Sequence, residues 1–113
     1  MKIGFPTYPR NQMVDEIHWI GKNGFDFADL YFEADKAEAH QVDLKAVRAA
    51  LDEYGLDAIG HTAWYLPIGS PSKPLRENAV EILKRYVELC SKIQCYKLTV
   101  HANWAFGLFT ADE

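Results

Sequence analysis

The stretch from Ile59 to Trp104 constrains the fold of this chain more than any other. It opens with Ile59-Gly60-His61-Thr62 and closes with Val100-His101-Ala102-Asn103-Trp104. Between them, apolar residues recur at helical spacing from Leu75 to Ile93. The pattern predicts strand, loop, helix, strand, with a histidine at the exit of each strand. A connection of that length carrying a helix makes the two strands parallel and neighbouring. Two imidazoles then meet at the carboxyl edge of a parallel sheet, where α/β folds place their chemistry.

The rest of the chain repeats the alternation. Lys2-Ile3-Gly4-Phe5 predicts a first strand ended by Pro6. Met13, Ile17 and Ile20 mark a first helix, with Gly24 as its cap. The second strand runs from Phe27 to Glu33, with Ala28, Leu30 and Phe32 on one face and Asp29, Tyr31 and Glu33 on the other. Asp43 caps a second helix carrying Leu44, Val47, Leu51 and Tyr54, stopped by Gly55. Asp57 to His61 is the third strand. Ser72 and Pro74 start the third helix, with a stripe of Leu75, Ala79, Ile82, Leu83, Tyr86, Cys90 and Ile93. Lys97 to His101 is the fourth strand.

Alternation of this kind calls for a parallel sheet. Two junctions, Asn23-Gly24-Phe25-Asp26 and Tyr54-Gly55-Leu56-Asp57, end a helix and open a strand in the same way. A repeated βα unit favours a barrel. So does the polar face of the strands, because a doubly wound sheet is covered by helices on both faces. A closed eight-stranded barrel takes about 250 residues, and this chain has 113. Thr110-Ala111-Asp112-Glu113 fits the capping box that starts a helix. The expectation is that residues 1–113 are the amino-terminal half of a single (βα)8 TIM barrel, its first four strands and three helices, completed by further chain or by a second copy.

Composition excludes several partners. The net charge of −4 argues against a broad nucleic-acid surface. No apolar run approaches the roughly 20 residues of a membrane span, and the first ten residues lack a secretory pattern. The expected location is cytoplasmic, with Cys90 and Cys95 as reduced thiols.

His61 and His101 are the candidate metal ligands. Neutral imidazole binds zinc most readily, and manganese, cobalt or iron less tightly. A lone histidine at a strand end is ordinarily structural; a matched pair at equivalent ends points to a metal. A catalytic site needs a third protein ligand, most naturally a carboxylate. Glu33 is the candidate catalytic residue, as ligand or general base, against a solvated carboxylate at a loop start. Asp29, deeper in its strand, is expected to pair with an inward Lys97. Trp64, Tyr65, Trp104 and, more weakly, Tyr8 follow the strands and offer ring faces to the C–H faces of a sugar, against ordinary loop packing. His18 and His40 read as solvated. The chain has no dinucleotide, phosphate-loop or nucleophile-elbow motif.

With these residues in place, the chain resembles the xylose isomerase-like TIM-barrel superfamily, which includes sugar-phosphate isomerases and epimerases and zinc-dependent apurinic endonucleases. Met1-Lys2-Ile3-Gly4 is similar to the family's first strand. Gly24-Phe25-Asp26-Phe27-Ala28-Asp29-Leu30 resembles its G-F-D-x-x-E-L second strand, with Asp29 for the usual Glu. His61-Thr62-Ala63-Trp64-Tyr65-Leu66-Pro67-Ile68-Gly69-Ser70-Pro71 is similar to the endonuclease H-x-x-Y-L-x-N-L-x-x-P, and Thr99-Val100-His101 to its V-x-H. The resemblance implies that His61 and His101 are metal ligands and that further ligands come from strands this chain lacks. Pro67 replaces the endonuclease Asn, and Ala102-Asn103-Trp104 replaces Pro-Gly. Both departures point to the isomerase branch, and so to metal-assisted proton transfer beside a carbonyl of a sugar-like substrate, with zinc or manganese in a site incomplete here. The alternatives are an apurinic endonuclease-like enzyme and a non-catalytic half-barrel that associates with itself.

Overall fold

The computed structural model describes residues 1–101. The predicted elements form in the predicted order: β1 (Gly4–Pro6), α1 (Met13–Lys22), β2 (Phe27–Phe32), α2 (Leu44–Tyr54), β3 (Asp57–Thr62), α3 (Lys73–Lys92) and β4 (Leu98–Thr99). The four strands make one sheet in the order β1-β2-β3-β4. Every neighbouring pair is parallel.

The local signals act largely as their chemistry dictates. The Asp43 side chain accepts the Ala46 N–H at 3.0 Å and opens α2, a cap worth about 1 kcal/mol. Gly24 and Gly55, with φ of 77° and 62°, turn the chain out of α1 and α2 in the left-handed region. Asp26 then accepts the Ile3 N–H at 2.7 Å, while Asp57 takes the Lys2 ammonium at 2.5 Å. The repeated Gly-x-Asp thus ties the floor of the sheet together. Gly21 has a packing role: a Cβ there would lie 2.2 Å from the Tyr54 ring. The bare backbone lets α2 close on α1.

The strands bury one face. Ala28, Leu30 and Phe32 are fully buried against Ile17, Ile20, Val47, Leu51 and Ile93 from the helices. Tyr86 stacks on Phe32 with centroids 5.4 Å apart. A Cβ on Gly60 would meet Leu98 Cδ1 at 2.8 Å and Phe32 Cε2 at 3.0 Å, so a larger residue at the centre of the sheet would push on these packed side chains. The opposite face holds Asp29, Tyr31 and His61, each only partly buried. The helices therefore cover one side of the sheet, as a barrel wall requires.

Four details differ from expectation. The ladder of β1 includes Pro6, which an edge strand tolerates because a proline nitrogen can face away from its partner. β4 is only two residues long. At both short strands a buried threonine hydroxyl extends the pairing: Tyr31 N–H donates to Thr7 Oγ1 at 2.9 Å, and Thr62 Oγ1 donates to the Thr99 carbonyl at 3.2 Å. Leu75, expected on the buried stripe of α3, is exposed, and Leu89 is buried instead. A 20-residue helix spans about 30 Å and a six-residue strand about 20 Å. The first turn of α3 therefore overhangs the sheet. His18 is not simply solvated, since its Nδ1 lies 3.2 Å from the Tyr54 hydroxyl.

Candidate active site

Register decides which side chains meet. His61 pairs with Tyr31 on one side and Thr99 on the other. Strand alternation puts Asp29, Tyr31, His61, Thr99 and His101 on the face away from the helices. His61 Nε2 and His101 Nε2 are 3.0 Å apart, with the rings tilted at 38°. The expected pairing of these imidazoles is thus present at the carboxyl end of the sheet.

Asp29 is where the expectation fails. It does not pair with Lys97. Its Oδ2 lies 3.3 Å from His61 Nδ1, with both side chains less than a fifth exposed. The reason is geometric: Asp29 and His61 occupy adjoining strands, whereas Lys97 directly precedes β4, with β3 between. The Lys97 charge acts on Asp57 instead, adding to the larger effect of Lys2 that holds the Asp57 carboxyl below its usual range. Burial pushes the Asp29 carboxyl up, and His61 partly offsets this. Its second oxygen, Oδ1, is buried with no hydrogen-bond partner among the described residues. Tyr31 covers the His61 ring at 4.4 Å, and burial, with Asp29 and Glu33 nearby, raises its phenol.

The remaining candidates sit on the rim because each follows a strand. Tyr8 comes after β1, and its N–H donates to Glu16 Oε2 at 3.0 Å. Glu33 comes directly after β2 and Trp64 after β3. Tyr8 and Trp64 are about half exposed. The Ala34 N–H donates to the Tyr65 hydroxyl at 3.3 Å, joining the two loops that carry Glu33 and Trp64. Arg76 Nη1 donates to the carbonyls of Ser70 and Pro71, closing the β3–α3 loop onto α3. Trp104 lies outside the described residues, as does the capping box at 110–113.

The pair fits half of a metal site. Tetrahedral zinc with bonds of about 2.1 Å holds two nitrogens about 3.4 Å apart, and the two Nε2 atoms, 3.0 Å apart in hydrogen-bond contact, come within a few tenths of an ångström of that separation. Asp29 stands behind His61 and does not converge on that point. Among the described residues no group of three or more His, Cys, Asp or Glu side chains could hold a metal. A sequence signal for Asp29 existed in its position on the polar face of β2, but its partner depended on register.

The family model for the xylose isomerase-like TIM barrel matches residues 17–113. The chain belongs to that family. No curated protein sequence matches it. Among solved structures, the xylose isomerase-like chain is similar to apo 3-keto-D-glucoside 4-epimerase of E. coli, with a TM-score of 0.75 and 24% identity over 97% of this chain and 40% of that one. It also resembles D-allulose 3-epimerase of Methylomonas sp. and a D-psicose 3-epimerase solved in the presence of D-fructose. Each has a TM-score of 0.68 and 16% identity over 87% of this chain and 36% of the other. The chain therefore spans about 40% of the length of the first of these structures. Its four parallel strands and three helices are part of the family's barrel, and no helix among the described residues is long and apolar enough to cross a membrane.

Proposed function

We propose that this xylose isomerase-like chain supplies one side of the active site of a sugar isomerase or epimerase. The observation that carries the reading is the pair of imidazole Nε2 atoms 3.0 Å apart at the carboxyl end of the sheet. The similar folds named for epimerases of 3-keto-D-glucoside, D-allulose and D-psicose support a sugar bearing a carbonyl as substrate. His61 and His101 would hold a divalent ion, zinc or manganese, with the remaining ligands coming from outside residues 1–101. When bound, the ion polarises a carbonyl oxygen.

The chain's own groups supply the rest. Glu33, at the exit of β2, takes a proton from the carbon beside the carbonyl and returns one there or to the neighbouring carbon. Tyr8, Trp64 and Trp104 present ring faces to the sugar's C–H surface and exclude water. The site is completed by the remainder of a barrel or by a second copy of the chain, and residues 1–113 act within a single barrel domain. We place the protein in the cytoplasm. A phosphate on the sugar belongs to the same reading.

Calorimetric titration of the 113-residue chain with Zn²⁺ tests the metal. One ion per barrel site is expected, with affinity falling at least about tenfold in His61→Ala or His101→Ala. Binding that is unchanged in both variants overturns the reading. Solvent-deuterium incorporation into D-allulose and D-fructose tests the chemistry. The monomeric chain is expected to show none, and robust exchange by the monomer would refute the claim that the site is incomplete.

A second reading, an apurinic endonuclease-like activity, is favoured by the same histidine pair. Its mark would be binding to abasic duplex that weakens steeply with salt. The net charge of −4 is against it, and a flat salt response removes it.

A further inference from the structure

We infer that Asp29 is a positioning residue that fixes the tautomer of His61. Imidazole has two ring nitrogens, and in the neutral ring only one carries a proton. Which one is set by the partner each nitrogen meets. His61 Nδ1 faces the carboxylate oxygen Oδ2 of Asp29 at 3.3 Å. A carboxylate accepts and cannot donate, so Nδ1 carries the proton and Nε2 is a bare lone pair. That lone pair points at His101 Nε2, 3.0 Å away. In the neutral metal-free pair the hydrogen bond between the rings then has one possible sense: His101 Nε2–H donates and His61 Nε2 accepts.

Four features of the surroundings lock this arrangement. His61 and Asp29 are less than a fifth exposed, so water competes poorly for Nδ1. The Tyr31 ring lies 4.4 Å from the His61 ring and restrains its flipping. Register places Asp29 and His61 on adjoining strands, so their separation is set by the backbone ladder of β2 and β3. Asp29 Oδ1 has no partner among the described residues, so within them no ion pair competes with His61 for the carboxylate. A divalent ion then finds His61 already in the ligating tautomer, while His101 must move its proton from Nε2 to Nδ1. The ligating role rests on the function proposed above; the tautomer of His61 does not.

The test is ¹⁵N–¹H NMR of the histidine rings in the full 113-residue chain, at a pH where the imidazoles are neutral. The expected result is a protonated Nδ1 and a bare Nε2 on His61, with the reverse on His101. Asp29→Ala should mix the two tautomers of His61. Asp29→Asn, whose carbonyl oxygen still accepts, should restore the wild-type tautomer at least in part. A role for Asp29 confined to folding would not separate these two variants. A proton on His61 Nε2 in the wild-type chain overturns the inference, as does an unmixed tautomer in folded Asp29→Ala. The wild-type spectrum decides even where Asp29→Ala does not fold. Added Zn²⁺ separates the two proposals: it should switch His101 to the Nδ1–H tautomer and bind about 10–100-fold more weakly to Asp29→Ala. Failure of Zn²⁺ to perturb either ring, with the His61 tautomer as stated, sinks the metal reading alone.

Discussion

Tyr86 shows how burial tunes a single residue. Its ring is 5% exposed and stacks on Phe32. Desolvation, with smaller contributions from the Glu38 charge and other neighbours, pushes its phenol up to about 12. An unfolded tyrosine titrates near pH 10. The folded phenol therefore keeps its proton longer, and this contribution to stability is full below about pH 10 and lost as pH rises through 12. Of the six tyrosines, Tyr86 is expected to ionise last and together with unfolding, read from the tyrosinate absorbance. Tyr86→Phe should remove that late phase and raise the midpoint of alkaline unfolding. A late phase that survives the substitution would contradict this account.

At the scale of elements, the helix-to-strand junctions were legible where they used glycine and hidden where they did not. Gly24 and Gly55 announced themselves because a left-handed residue favours a missing Cβ. The third junction, after α3, makes the same turn with Gln94 at φ 59°. Nothing in the identity of a glutamine reveals that. The end of α3 is held instead by Cys95 N–H donating to the Cys90 carbonyl at 2.8 Å. A non-glycine residue there costs about 1 kcal/mol. Gln94→Gly should relieve that cost and gain up to about 1 kcal/mol, less the extra freedom of glycine in the unfolded chain. Urea unfolding measures it, and a clear loss of stability would show that the Gln94 side chain does more than fill the turn. Asp29 was hidden for a related reason. Its place on the polar face of β2 was readable from alternation, but Asp29 meeting His61 rather than Lys97 depends on strand order and register, which a single sequence does not encode locally.

Across the whole molecule, the two faces of the sheet divide the labour, and this was the most readable property of the chain. Ala28, Leu30 and Phe32 alternate with Asp29 and Tyr31, so the apolar side took the helices and the polar side was left uncovered by them. The division predicts two distinct classes of mutational effect. Phe32 is fully buried and touches α3 through Tyr86. Phe32→Ala leaves a cavity between the layers and should cost about 3–5 kcal/mol. That is a large share of the roughly 5–15 kcal/mol that keeps a domain of this kind folded. His61 faces the other way and makes its close contacts with Asp29, Tyr31 and His101. Its removal deletes half of the proposed metal pair, but little of the packing between sheet and helices. His61→Ala should therefore shift urea stability by no more than about 1–2 kcal/mol while weakening Zn²⁺ binding. Equal stability losses in the two variants would mean that the polar face is structural, and that the histidines hold the wall together rather than serve what it encloses.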